Sequence, residues 1–492
     1  MILEASVLTA VCALVLVAAS RTHRQMNAVC ILEGVLFLML AGFVLLSGIP
    51  VSSFIVGSQF FFIDHLGIYE VLITAVVFTL AAVYARGYVE GLLESRELGK
   101  GSLRLFYAAW ALLLPIIVLA FFSDNLALFW IFAELTTVIS AMLVAILYAR
   151  ENIDAAIKYI FIASVSMLFS FVGLIFLFEI SRTATGSGSL NWTALIQQAP
   201  SFPAGMMVAA FALVFVGFAA KCGIFPFHTW LPEAHAKAPS AVSAVLSGVL
   251  LNVGMYGILR VFAIVHQTPA VSTVAPLIAL FGLFTVGIAA VSMLGEKNLK
   301  KLVAFSSVEN MGILLLGIAV ATPLAIFWVL FHVMAHSFTK ASLFFSAGIL
   351  HRQYRSPLSS DAADEIRDVF RLQPLAAWGI IIGGLAISGM PLFPIFFSKL
   401  FILLQIGTVS LWEVLIVLVL LFIAASALGY YVITTFTQVS SPEHPTDIRQ
   451  YPTPAGMKVP VIVLLCIILV LGIVFTKGEV TFLNQIVAEL RF

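Results

Sequence analysis

Apolar runs of about 20 residues, each long enough to cross a bilayer as a helix, follow one another along almost the whole chain. A soluble domain has no room for so many. The 492 residues are 62% hydrophobic and only 10% charged, with a mean hydropathy of +1.12. The expected fold is an all-α polytopic membrane protein. Fourteen spans are expected, near 2–20, 28–47, 66–85, 103–122, 125–149, 153–180, 203–227, 239–265, 270–292, 299–320, 322–350, 373–404, 410–437 and 458–476. The β-rich stretch Val51–Asp64 reads as a small hairpin on the membrane surface. The first run lacks a basic leader and a small-residue cleavage site, so it is expected to stay as a helix.

The net charge is +1, with no basic tail or stripe, so the lipid bilayer and not nucleic acid is the expected partner. Cys12, Cys30, Cys222 and Cys466 stand singly, which argues against an iron–sulfur cluster or a disulfide framework. Of the 25 lysines and arginines, 18 fall in loops after odd-numbered spans and four on the other side. The positive-inside rule puts the richer side in the cytoplasm and both termini outside.

The remaining three cations, Lys221, Lys340 and Lys399, lie inside spans. A lysine at the bilayer centre costs roughly 2.5–3.5 kcal/mol on insertion scales, a cost usually tolerated along ion pathways. Two of the three sit beside interrupted helices. Span seven breaks at Gly223–Pro226 just after Lys221, and a polar turn with His228, Glu233, His235 and Lys237 follows. Span twelve breaks at Gly389, Pro391 and Pro394, just before Lys399. Broken backbone at membrane depth survives only where protein buries it or water reaches it. Two breaks five spans apart suggest an internal repeat of five helices. Five being odd, the second copy is inverted, a pattern of ion-coupled transport. The expected division is 1–102 (helices 1–3), 103–265 (helices 4–8), 266–437 (helices 9–13) and 438–492 (helix 14).

Other titratable groups fall in or near the same spans. Glu134 lies ten residues into span five, close to mid-membrane. It is either a partner that tunes Lys221 or a protonated carboxyl bonded to a neighbouring helix. His332, His336 and Lys340 are spaced i, i+4 and i+8 and share one helical face. A histidine pair at that spacing could hold a metal. The lysine on the same face and the absence of a nearby carboxylate or cysteine favour a proton wire. Glu309 is expected near the cytoplasmic entrance, and Glu33 also lies in a span. Lys399 could instead snorkel to an interface. Asp154 and Lys158, one turn apart, read as a surface ion pair. His228 and His235 read as loop residues, serving either hydrogen bonding or proton uptake.

KCGIFPFHTWLPEAHAKAPSAVSAVLSG, FSSVENMG, the His332–His336–Lys340 file and GMPLFPIFFSK together resemble the antiporter-like membrane subunits of respiratory complex I, Mrp-type cation/proton antiporters and group 4 NiFe hydrogenases. The resemblance covers roughly residues 103–437. The short C-terminus and SGVLLNVGMYGILR look most like the hydrogenase-4 component F branch. The resemblance implies fourteen helices with two inverted five-helix repeats, and a role in proton translocation. It also implies that Glu134 and Lys221 form a glutamate–lysine pair, that His332, His336 and Lys340 form a central axis, and that Lys399 is the charge of the second broken helix. Asn252 stands where many relatives have a lysine, which puts the link between the two half-channels in question.

The chain carries no cofactor motif of its own, neither GxGxxG nor a cysteine cluster. Electrons would therefore travel in other subunits, and the expected partners are further membrane subunits and a peripheral redox module. Two other functions compete: a secondary cation/proton antiporter without a redox partner, and a scaffold that has lost conduction. Asn252 favours the scaffold; Glu134, Lys221, Lys340 and Lys399 oppose it.

Overall fold

The computed structural model describes residues 2–47, 59–147, 149–354, 366–438 and 450–492. Twenty α-helices run in order: α1 Ile2–Ala19, α2 His23–Leu46, α3 His65–Glu94, α4 Ser102–Phe121, α5 Leu126–Val144, α6 Arg150–Thr185, α7 Trp192–Gln198, α8 Ala204–Cys222, α9 Trp230–Lys237, α10 Ser240–Val245, α11 Leu251–His266, α12 Val271–Met293, α13 Leu299–Val320, α14 Pro323–Tyr354, α15 Val369–Leu372, α16 Pro374–Ser388, α17 Pro394–Gly407, α18 Leu411–Phe436, α19 Ala455–Ile473 and α20 Lys477–Glu489. The described residues form no β-sheet, only isolated bridges such as Phe61 to Ser123. Most of the expected hairpin at Val51–Asp64 lies outside the described residues.

By length and composition, 12 segments among the described residues could cross a membrane. Adding α1, and counting α16 with α17 as one interrupted crossing, gives the fourteen expected. The crossings extend beyond the apolar windows because polar residues cap them. Thr22 and Gln25 form a capping box that starts α2 well before residue 28. The Asp64 side chain caps α3 through the Gly67 N–H. Among the elements not expected is α20, too polar to register as a span. Its inner side packs through Leu483, Ile486 and Val487, and His65 Nδ1 lies 2.5 Å from Glu489.

The bundle is layered by burial. The α10–α11 crossing is buried from Ser240 to Val265, and α14 is nearly so. By contrast α6 and α18 turn bulky apolar side chains outward, Phe161 and Phe422 among them. That is the expected finish for a surface facing lipid or another subunit. Between α10 and α11 the backbone takes one π turn, Leu246–Leu250, and Gly248 there lies against the Ser337 carbonyl of α14.

Both expected breaks are present. Gly223 ends α8 and Gly389 ends α16, each left-handed at φ +70° and +83°. Glycine reaches that conformation without the Cβ clash that other residues meet. Arg260, in α11, is locked inside the protein rather than in a loop. It lies 2.7 Å from Asp64, and its guanidinium stacks 4.0 Å from the Trp192 ring.

Candidate functional site

The C-terminal end of α8 brings Lys221 against α5. Its Nζ donates to the Ala133 carbonyl and to the Thr136 and Thr137 hydroxyls, all at 2.8 Å. Three acceptors match the three donors of an ammonium. The expected pairing with Glu134 is not formed. Ser164 of α6 donates instead to Glu134 Oε1, while Oε2 has no partner. The cause is helical geometry. Ala133, Thr136 and Thr137 are buried and meet Lys221, whereas Glu134 is only partly buried and bonds α6. Glu134 thus bonds the neighbouring helix α6 and not Lys221.

The second break is built differently. Lys399 begins in α17 but reaches back, donating to the Ile387 carbonyl at 3.0 Å, near the end of α16. It forms an ion pair of 2.9 Å with Glu309, with both side chains almost fully buried. The Asn310 side chain donates to the other Glu309 oxygen at 2.9 Å. Two expectations are corrected here. Glu309 is not at an entrance, because it lies ten residues into α13 and is enclosed by the bundle. Lys399 does not snorkel, because a buried partner and a carbonyl satisfy it in place.

His332, His336 and Lys340 occupy one face of α14, as their spacing requires. The imidazoles are near-parallel with centroids 6.4 Å apart. His332 Nδ1 lies 2.8 Å from the Ser398 hydroxyl beside Lys399. Both nitrogens of His336 are buried without a protein partner. Lys340 donates to the Val303 carbonyl at 2.7 Å and to the Ser306 hydroxyl at 2.5 Å. Lys221 and Lys340 are thus seated alike, on a helix carbonyl plus a hydroxyl three residues later.

The two histidines assigned to the loop after span seven are not loop residues. His228 sits in the short turn Phe227–Thr229, and His235 in α9. Both are buried, because α9 folds back into the bundle. His235 stacks on Phe344 at 4.9 Å, and neither of its nitrogens has a partner. His228 Nδ1 is also without one. Asp154 and Lys158 form no ion pair with each other. Both line a charged cleft of about 390 Å³ with Glu151, Glu233, Glu296 and Lys301. An exposed pair at that spacing gains little by closing.

Asn252, on α11, touches a residue that sequence reasoning missed. Its Nδ2 lies 3.1 Å from Glu70 Oε2 and 3.1 Å from the Ser337 hydroxyl of α14. Glu70 stood as the one carboxyl in the run GIYEVLITAVVF, a signal overlooked because it lies near the end of a span. Glu33 is buried in α2 with Oε1 unpartnered. Lys300, counted as a loop cation, is buried on the Ala238 carbonyl at 3.0 Å.

The fold and these charges define a polytopic helical membrane protein with cations seated at two helix breaks. The family described as NADH:quinone oxidoreductase/Mrp antiporter, TM, matches residues 123–429. A hydrogenase-4 component F homolog of Methylacidiphilum infernorum is 33% identical over 70% of this chain and 72% of its own length. An NAD(P)H-quinone oxidoreductase chain 4 of Picosynechococcus is 31% identical over 58% of this chain and half of its own length. The chain belongs to this antiporter-like membrane-subunit family. Among solved structures, a chain of the archaeal membrane-bound sulfane sulfur reductase superposes with a TM-score of 0.85 at 21% identity, covering 99% of this chain and 96% of its own. A chain of respiratory complex I from Thermus thermophilus superposes at 0.80 and 19% identity, with full coverage of both chains. Both share the fold.

Proposed function

We propose that this chain is the proton-translocating membrane subunit of a redox-driven complex of the hydrogenase-4 or quinone-oxidoreductase kind. One observation carries the reading. Two broken helices each place a lysine beside the break inside the bundle, and a file of buried imidazoles and Lys340 lies on the helix packed against the second break. Residues 103–265 and 266–437 are then two copies of one unit, Glu134 corresponding to Glu309 and Lys221 to Lys399. The copies stand in different arrangements, with the second ion pair closed and the first open. A lysine whose carboxylate approaches and withdraws can load and release a proton.

His228 and His235 belong to the uptake side of that path. The other membrane subunits and a peripheral redox module supply the driving reaction, in keeping with a sequence that carries neither a GxGxxG motif nor a cysteine cluster. The chain sits in the prokaryotic cytoplasmic membrane with both termini outside.

In the assembled complex, Lys221→Ala should leave subunit content unchanged while proton transport into inverted vesicles collapses. Unaltered transport would remove Lys221 from the pathway. Mild detergent extraction followed by mass spectrometry tests the redox half of the reading. Hydrogenase or quinone-oxidoreductase subunits should accompany the chain. Recovery of small membrane subunits alone would point to a standalone Mrp-type antiporter.

A further inference from the structure

The middle of the bundle holds a carboxyl that the path described above does not use. Glu70 is 3% exposed, on α3, outside the span of the family match. No lysine, arginine or histidine forms an ion pair with it among the described residues. Its one hydrogen-bond partner there is Asn252 Nδ2, which also contacts the Ser337 hydroxyl and, at 3.5 Å, the Gly248 carbonyl. The amide nitrogen has two hydrogens for three acceptors, while Asn252 Oδ1 is buried with none. A bare carboxylate without a counter-ion in such surroundings is strongly disfavoured. A carboxyl that keeps its proton avoids that cost, and the vacant Oδ1 is an acceptor ready for its O–H if the amide turns over.

Position makes the proton useful. Asn252 is on the crossing that joins the Lys221 break to the second half. Ser337 is the residue after His336 and three before Lys340. The π turn and Gly248 let this crossing lie directly against α14 at that level. Asn252 carries no titratable proton, so the ionisable group at this junction comes from α3.

We propose that Glu70 is the proton-carrying residue of the junction between the two halves, with Asn252 and Ser337 positioning it. Its O–H gives the proton to the His336 imidazole through intervening water. A carboxylate and an imidazolium remain, and the carboxylate regains a proton delivered from the Lys221 ammonium. Charge is conserved at each transfer, and no oxidant or reductant is consumed. The inference rests on the proton-translocating reading of the chain.

Glu70→Gln keeps the shape and the acceptor for Asn252 but has no exchangeable acid proton. In membrane vesicles holding the whole complex, this variant should assemble normally and lose proton transport by roughly 10²-fold, the low end of what a positioned proton-transfer group supplies. Glu70→Asp should retain part of the transport. Infrared difference spectra of the purified complex should show a protonated-carboxyl C=O band that disappears in Glu70→Gln. Lys221→Ala, run in parallel, separates the two ideas. If it abolishes transport while Glu70→Gln does not, Glu70 is structural and the junction proposal falls alone. If neither substitution matters, the transport reading itself falls. Equal losses in Gln and Asp with no change in the infrared band would also overturn the proposal.

Discussion

At the scale of single residues, the two breaks handle the same problem in different ways. Lys221 is an ion satisfied by neutral oxygens, and Lys399 is an ion satisfied by an ion. Removing one member of a buried pair leaves the other stranded, at about 3–5 kcal/mol. Glu309→Gln and Lys399→Met should therefore each lower the thermal midpoint of the solubilised protein markedly. The double variant should recover much of the loss, since neither charge is then left alone. A double variant as unstable as the sum of the singles would mean the two groups act independently. Lys221, Lys340 and Lys399 were legible as intramembrane charges because an apolar run makes any cation conspicuous. What each one touches was not legible. The residue that holds Glu309 in place, Lys399, is 90 positions away in the chain.

At the scale of elements, the glycines that end α8 and α16 differ in what a methyl group would meet. A Cβ at Gly389 would lie 3.3 Å from the Lys399 side chain, and at Gly223 2.4 Å from the tip of Leu231. Both substitutions to alanine incur the left-handed penalty of roughly 1–2 kcal/mol. Gly389→Ala should in addition disturb the Glu309–Lys399 pair and reduce proton transport beyond its effect on protein level, as assayed in vesicles normalised for content. Transport per molecule equal to wild type would dissociate the break from the pair. The breaks were legible from Gly and Pro alone. The inward fold of α9, which buries His235, was not, because WLPEAHAK is polar enough to read as a surface turn.

The contact between the end of α3 and α14 carries a pH dependence. Burial pushes the Glu97 carboxyl up, but the hydrogen bond and charge of His351, 3.3 Å away, with help from Ser95, outweigh it and hold the group below its ordinary value. A carboxyl with a lowered folded-state pKa stabilises the fold above the ordinary carboxylate range. The contribution fades as pH falls through the lowered value. Glu97→Gln should lower stability in detergent by a constant amount above the carboxylate range and converge with the wild type at acid pH, flattening the acid side of the profile.

At the scale of the whole molecule, the number of crossings and the charge asymmetry were legible because the bilayer fixes helix length and lysine placement from outside. The exceptions lie where Arg260 is buried against Asp64 and Trp192, and at α20. Both depend on contacts between distant segments that no periodicity records. Orientation can be tested directly. In a background without Cys12 and Cys466, both exposed, an impermeant thiol reagent added to intact cells should label Ser187→Cys and spare Lys297→Cys. The reverse pattern would invert every assignment of side.

The π turn at Leu246–Leu250 has a genetic consequence. Ser247 bonds Ser307 of α13 at 2.8 Å, while Asn252, five positions on, bonds Glu70 and Ser337. In a regular α-helix, residues five apart diverge by about 140°. The extra residue of a π turn brings them toward one side. Deleting a single codon in that stretch should leave a longer, straighter and better-bonded helix that can keep one of these contacts but not both. The gene is therefore expected to tolerate apolar exchanges of similar volume at Leu246, Val249 and Leu250, which are buried, and no change in their number.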